Sequence, residues 1–236
     1  MTRGMATGGA ATLFVTGTDT GVGKTRAAAA LIGCARAIGI DAVGYKPVAA
    51  GCTATADGWR NDDAEQLLAA SGGGLAYADV NPLALPAAIA PHLAARDVGL
   101  RIDTAILDAG HARLAARHAL LIVEGAGGWR VPLDERIDFA DWVGGHRWPV
   151  VLVVALRLGC LNHALLSVEA ILRRTTLAGW IANVLPPPQE RWQDNLDSLR
   201  ARLPAPCLGV LPPDGDAAAN RAALDTSATR SLLGRA

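Results

Sequence analysis

The sequence predicts an α/β fold: a mostly parallel sheet with helices on both faces, in a single domain. Strand-like and helix-like runs alternate along the 236 residues. Two of the strand-like runs, residues 119–123 and 150–155, are apolar without alternation, as strands covered on both faces must be. A loop of small residues ending in Gly-Lys-Thr joins the first strand-like run to the first helix-like one. One domain is expected over residues 12–236, preceded by a loose, Gly-rich leader at 1–11 and ending in a tail from about 214 that takes no assignment.

The elements follow in order. Residues 12–16 are β-prone, and the Ala-rich stretch 26–38 reads as a helix stopped by Gly39. Residues 41–48 read as one strand, 51–60 as a polar loop, and the stretch from Asn61 or Asp62 to Ala70 as a helix. The Gly- and Pro-rich stretch 72–100 supports only a short helix near 87–95. Residues 103–118 look helical, with Asp103 as the cap. After the two buried strands come a helix at 160–174, a strand at 177–184 that Pro186, Pro187 and Pro188 forbid continuing, a helix at 191–202 and a last strand at 207–211. Ligands of such sheets sit at the carboxyl ends of strands, so the loops after strands are where function is sought.

Composition excludes several classes of function. Lys plus Arg and Asp plus Glu number 22 each, so net charge is zero, which argues against gripping nucleic acid or an anionic membrane through bulk charge. The longest strongly apolar run, 149–156, is too short to span a bilayer. Arg3 has no apolar stretch behind it, so no secretory signal is expected. The four cysteines form no Cys-x-x-Cys and no metal spacing, so a disulfide framework is not expected either. A cytoplasmic protein is the expectation.

Gly17-Thr-Asp-Thr-Gly-Val-Gly-Lys-Thr25 carries the strongest signal. Small residues let backbone N–H groups turn toward phosphate oxygens, the helix start adds partial positive charge, and Lys24 supplies a full one. Thr25 puts a hydroxyl where Mg²⁺ bridging the phosphates would lie. This is the context of a P-loop, with one departure: the first glycine place of G-x-x-x-x-G-K-[ST] holds Thr18, and Gly17 stands one residue earlier.

Other loops supply partners. Glu124 ends a buried strand and begins Glu-Gly-Ala-Gly-Gly; it is either an acid that caps a turn or the carboxylate that holds the nucleotide's metal. Lys46, before Pro47, is either an ordinary solvated lysine or a second cation at the same sheet edge, placed to steady charge during phosphoryl transfer. Asp62 and Asp63 favour a helix N-terminus, and one of them is also within reach of the metal. Asn183 is either a turn former or a reader of adenine, since an amide both donates and accepts. Asn162 and His163 cap a helix or touch a ligand; no third orienting group makes Cys160 a nucleophile.

These blocks together resemble the dethiobiotin synthetase family, the ATP-dependent ring-closing ligases of biotin synthesis. The resemblance rests on residues 14–25, on Gly44-Tyr-Lys-Pro-Val-Ala49, on 61–64, on Val123-Glu-Gly-Ala-Gly-Gly-Trp129, on Leu158-Gly-Cys-Leu-Asn-His-Ala164 and on 177–183, in family order over about 12–213. It implies Mg²⁺- and ATP-dependent closure of a cyclic urea. 7,8-Diaminopelargonic acid takes up CO₂ as a carbamate, ATP's γ-phosphoryl makes a carbamic-phosphoric anhydride, and the second amine closes the ring. It also implies Thr25, Asp63 and Glu124 on the metal, Lys24 on the phosphates and Lys46 at the transferred group. Gly21, Val22, Gly23, Arg26, Gly125, Ala126, Gly127 and Asn183 are then placed around ATP. Thr20 and Ala50 fall near the substrate, together with Gly159, Cys160 and Asn162 from the partner of a homodimer.

The chain departs from that pattern where relatives carry Glu at Gly21, Ser or Thr at Ala50, and an acid at Val184. The rival reading is a dimeric switch ATPase of the partitioning or scaffold type. Its signature lysine would fall at Asp19, and its paired seam cysteines are not in the sequence.

Overall fold

A computed structural model describes residues 10–235. Most of the expected leader, residues 1–9, therefore lies outside the described residues. The first half of the chain runs β1 (Ala11–Gly17), α1 (Lys24–Ala37), β2 (Ala42–Tyr45), β3 (Val48–Ala50), β4 (Thr53–Thr55), β5 (Gly58–Arg60), α2 (Asp62–Ala70), α3 (Tyr77–Val80), β6 (Leu83–Leu85), α4 (Pro91–Asp97) and α5 (Thr104–Ala115). The second half runs β7 (Leu120–Gly128), α6 (Phe139–His146), β8 (Val150–Ala155), α7 (Cys160–Leu172), β9 (Leu177–Asn183), α8 (Trp192–Arg202), β10 (Cys207–Leu211), α9 (Ala217–Leu224) and α10 (Ser227–Leu233).

Six strands form one parallel sheet in the order β10-β9-β8-β1-β7-β2. The unalternating apolar runs are explained by what covers them. In β8, Val150, Leu152 and Val154 join the core on one face, and Val151, Val153 and Ala155 join the core on the other. β1 divides in the same way, Phe14 to one face and Leu13 and Val15 to the other. Each such valine or leucine, withdrawn from water, contributes about 1.5–3 kcal/mol. The sheet has no polar face because it has no wet face.

The structure corrects several sequence expectations. Residues 41–48 are two strands in two sheets. Pro47 has no N–H for a ladder, so the chain turns off after Tyr45, and β3 pairs with β6 instead of continuing beside β7. The polar loop at 51–60 folds back as the β4–β5 hairpin. The short helix expected near 87–95 is α4, which starts at Pro91, where a preset φ suits the first helical position. The Asp103 cap is present, its carboxylate accepting from Ala105 N at 2.9 Å. Besides the short α3, two further regions form helices that were not expected. α6 is capped by Asp138, and the tail forms α9 and α10, capped by Asp216 and Thr226.

The tail lies close against the sheet edge. A Cβ on Gly209 of β10 would lie 2.3 Å from Ala223 O and 2.7 Å from Leu224 Cδ2. Gly209→Ala should therefore destabilise the protein by about 1–3 kcal/mol. Urea unfolding monitored by circular dichroism checks this; an unchanged midpoint would mean that α9 yields without cost.

Candidate active site

Between β1 and α1 the chain needs glycine for identifiable reasons. A Cβ on Gly17 would lie 2.4 Å from Val22 Cγ2, and Gly23, with φ of 91°, has Asn183 Nδ2 2.2 Å from where its Cβ would be. The tight approach thus falls at Gly17, which is how Thr18 is accommodated in the motif's first glycine place. This turn presents Lys24 and Thr25 on the first turn of α1, both buried. Lys24 Nζ donates to Asp19 O at 3.3 Å.

Strand order supplies the other partners. β7 lies between β1 and β2, with Val15 opposite Glu124 and Tyr45 opposite Val123. The residue after Tyr45 is therefore carried alongside Glu124. Lys46 Nζ donates to Glu124 Oε1 at 2.5 Å and to Asp63 Oδ2 at 2.8 Å, while Thr25 Oγ1 donates to Glu124 Oε1 at 3.0 Å. Asp62 is exposed, so the acid that α2 turns inward is Asp63.

A second layer of hydrogen bonds holds this arrangement. The Lys46 N–H donates to Val80 O at 2.8 Å, and its carbonyl accepts from Asn81 Nδ2 at 2.7 Å. The Tyr77 hydroxyl donates to Asn81 Oδ1 at 3.0 Å and accepts from Asn61 N at 2.8 Å. Asn61 Oδ1 in turn caps α2, accepting from Asp63 N at 3.1 Å. One network thus positions both Lys46 and Asp63. Sequence reasoning missed Tyr77 and Asn81, which sit in the Gly- and Pro-rich stretch that defied assignment.

Electrostatics follow from this packing. Burial alone would push the Lys46 ammonium down, but Glu124 and Asp63, by charge and by hydrogen bond, outweigh it and hold it above the ordinary lysine range. For Asp63, burial acts upward and is outweighed by the charge and hydrogen bond of Lys46, so its carboxyl stays below the usual range. Lys24 goes the other way: burial lowers it, and the attraction of Glu124 compensates only in part.

The groups open on a cavity of about 720 Å³, within the ordinary range for small-molecule sites. Of the residues singled out in sequence, Thr20, Gly21, Gly23, Lys24, Thr25, Arg26, Lys46, Ala50, Asp63, Ala126 and Gly127 line it. Both lysines face the same space. Gln66, Arg130 and the turn before α4, including Ala88 and Ile89, line it as well and carried no sequence signal.

The remaining singled-out residues lie elsewhere. Val22 is core, Glu124 stands behind Thr25 and Lys46, and Gly125 lies against the Phe14 ring. Asn183 has no exposed surface; its Nδ2 donates to Val22 O at 2.9 Å and its Oδ1 accepts from Arg26 at 3.2 Å. Gly159, Cys160 and Asn162 open α7 and do not line the cavity of the single chain. Just before them, Arg157 pairs with Asp19 of the P-loop at 2.5 Å. Cys160 is buried, which raises its thiol. Leu158, Leu165, Leu166 and Leu172 leave an exposed apolar stripe on this segment.

The donor set suits a small hard cation. Thr25 Oγ1 and the Asp63 and Glu124 carboxylates are oxygen donors, and Glu124 Oε2 is buried with no hydrogen-bond partner among the described residues. Among those residues no cluster of three or more His, Cys, Asp or Glu forms a cage. Two carboxylates and a hydroxyl, with phosphate oxygens and water completing the shell, are what Mg²⁺ accepts.

Comparison with known proteins bears on the family and the fold. A family profile described as an AAA domain matches residues 11–221. The chain is 54% identical over 206 residues to the ATP-dependent dethiobiotin synthetase BioD of Pseudomonas paraeruginosa, covering 86% of this chain and 90% of that protein. It is 50% identical over 209 residues to the protein of the same name from Xanthomonas oryzae pv. oryzae, covering 87% and 93%. Among solved structures, the MinC:MinD cell division protein complex of Aquifex aeolicus superposes with a TM-score of 0.57 at 14% identity, covering 96% of this chain and 97% of that one. The signal recognition particle receptor FtsY of Elizabethkingia anophelis, in complex with GDP, gives 0.53 at 12% identity, covering 98% and 65%. At such identities these two show the fold alone, a P-loop NTPase-like parallel sheet.

The Lys46–Glu124 pair has a measurable consequence. In metal-free buffer, Lys46→Met should cost about 3–5 kcal/mol, because it strands a buried carboxylate. Lys46→Met combined with Glu124→Gln should recover most of that loss. Chemical denaturation of the two variants checks it; equal stabilities would mean that the pair's charges are not coupled.

Proposed function

The chain belongs to the dethiobiotin synthetase family, and from that premise we propose that it joins CO₂ to 7,8-diaminononanoate and closes a cyclic urea at the expense of ATP. One observation carries the reading: two lysine ammonium groups, a hydroxyl and the Asp63 carboxylate line a single cavity, with the Glu124 carboxylate buried directly behind Lys46 and Thr25.

The chemistry brings two anions together. One amine of the substrate adds to CO₂ and releases a proton, giving a carbamate. A carbamate oxygen then attacks the γ-phosphorus and ADP departs, which leaves a carbamic-phosphoric anhydride. The second amine, entering neutral, attacks the carbamoyl carbon; phosphate leaves with the C–O bonding pair and the proton passes to solvent. Carbamate and γ-phosphate repel each other, so the approach needs cations already in place. Lys24 takes the phosphate oxygens and Lys46 the carbamate and the transferred phosphoryl. The backbone of Gly21, Val22 and Gly23 cradles the phosphates, with Ala126 and Gly127 facing them from the end of β7 and Gly125 behind, letting the strand pass close to Phe14.

Thr25, Asp63 and Glu124 would hold Mg²⁺, which supplies charge neutralisation on the phosphates. Asn183 keeps one amide hydrogen beyond its bond to Val22, and this hydrogen, with the Oδ1 that accepts from Arg26, is assigned to the adenine edge. Thr20 and Ala50 are assigned to the diamine. Gly159, Cys160 and Asn162 are assigned to the site of a partner subunit in a homodimer, a role supported by the apolar stripe on α7. No described helix is long and apolar enough to cross a membrane, and a cytoplasmic location accords with a substrate of this kind. The switch-ATPase alternative draws support only from distant fold likeness, against relatives that are half identical.

Purified protein given diaminononanoate, bicarbonate, Mg²⁺ and ATP should form dethiobiotin and ADP in equal amounts. Absence of product from folded protein, or ATPase stimulated by DNA, lipid or a protein partner instead, would overturn the reading. At a temperature where it is folded, Lys46→Met should lose roughly 10²-fold or more in kcat, as for a lost transition-state charge. Steady-state kinetics checks this, and equal turnover would remove Lys46 from the mechanism.

A further inference from the structure

We propose that Arg26 sets nucleobase selectivity, because its guanidinium fills an acceptor-lined recess beside Asn183 that is shaped to receive the exocyclic amino group of a base. The proposal rests on the reading that Asn183 faces adenine.

Arg26 follows Thr25 on α1 and lines the same cavity. Its Nη1 donates to Asn183 Oδ1 at 3.2 Å, and its Nη2 donates to Pro212 O at 2.7 Å, to Asn220 Oδ1 at 2.8 Å and, at the long limit of 3.5 Å, to Gly215 O. All four partners are neutral oxygen acceptors, drawn from the end of β9, the turn after β10 and α9. None is a carboxylate, so the recess is built for N–H donors and not specifically for positive charge.

The acceptors are oriented independently of Arg26. Asn183 Nδ2 donates to Val22 O at 2.9 Å, and Asn220 Nδ2 donates to Gly215 O at 3.0 Å, which fixes each amide with its oxygen toward the recess. Both asparagines are buried. The turn wraps closely: a Cβ on Gly215 would lie 2.7 Å from Pro212 Cγ and 2.8 Å from Asn220 Oδ1.

An amino group on a base supplies the same donors as the guanidinium. An oxo group in its place would set oxygen against oxygen and leave buried acceptors unpaired, which is how polar sites discriminate strongly. Arg26 and the base amino group therefore compete for one recess. A plug in place for nine-tenths of the time lowers apparent affinity for the recess's ligand about tenfold. In the unsubstituted protein that competition levels the preference among triphosphates, so binding is governed by the phosphates.

The test compares MgATP with MgITP by isothermal titration calorimetry. ITP keeps the purine, ribose and triphosphate and carries an oxo group where ATP carries an amino group. Removing the Arg26 charge weakens both triphosphates alike, so the ratio of their dissociation constants isolates the recess. In Arg26→Ala the preference for ATP over ITP should rise about fivefold or more. Arg26→Met, which keeps an unbranched stem of similar length, should do the same should Arg26→Ala fold poorly. An unchanged or smaller ratio overturns the proposal. Asn183→Ala then separates the two readings. If it lowers the ratio where the Arg26 variants leave it unchanged, adenine reading stands and only the plug falls; if it too leaves the ratio unchanged, both fall.

Discussion

Lys46 lies between two carboxylates at the end of a buried parallel strand, and the geometry of the cavity follows from that contact. Glu124 has no exposed surface, so its negative charge is tolerable only with a cation and a hydroxyl against it. Lys46 supplies the cation and Thr25 the hydroxyl, which ties β2 and α1 to β7 from either side. Asp63 completes the arrangement from α2, where Asn61 fixes the helix start. The network that immobilises Lys46 passes through Asn81 and Tyr77, two side chains that never touch the cavity yet decide where its charges stand.

A sheet covered on both faces makes this precision affordable. Strands such as β8 send alternate side chains into two separate cores and cannot slide by one residue without exchanging them. Strand ends, and the loops they release, are therefore held at fixed heights. The glycines of the phosphate loop serve the same end: at Gly17 and Gly23 the neighbours leave no room for a Cβ, so the backbone N–H groups have one direction to face.

The tail shows a different dependence. Residues from 214 onward matched no pattern, yet with Pro212 they form the turn that surrounds the Arg26 guanidinium, and they supply the helix packed on α1. Arginine directly after the phosphate-loop threonine joins the first helix to the turn after the last strand, beside the cavity.

Much of this was legible before any coordinates. The unalternating runs at 119–123 and 150–155 required burial on both faces, and Gly-Lys-Thr after a strand required a phosphate site. Asp103 and Gly39 marked helix ends by local chemistry, because capping and left-handed backbone are properties of single residues. The strand split at Pro47, the helix at Phe139–His146 and the tail helices were not legible, since proline's effect depends on what lies beyond it, Gly144 and Gly145 weaken the local helix signal of α6, and the Ala-rich α9 is held by packing on α1. The amino-acid order alone determined which side chains were available: two lysines, a threonine and an aspartate at or just past the boundary of a regular element, and a glutamate within β7. Which of them meet was decided by strand order, with β7 inserted between β1 and β2, because pairing between strands some 80 to 110 residues apart depends on the whole core and leaves no local trace.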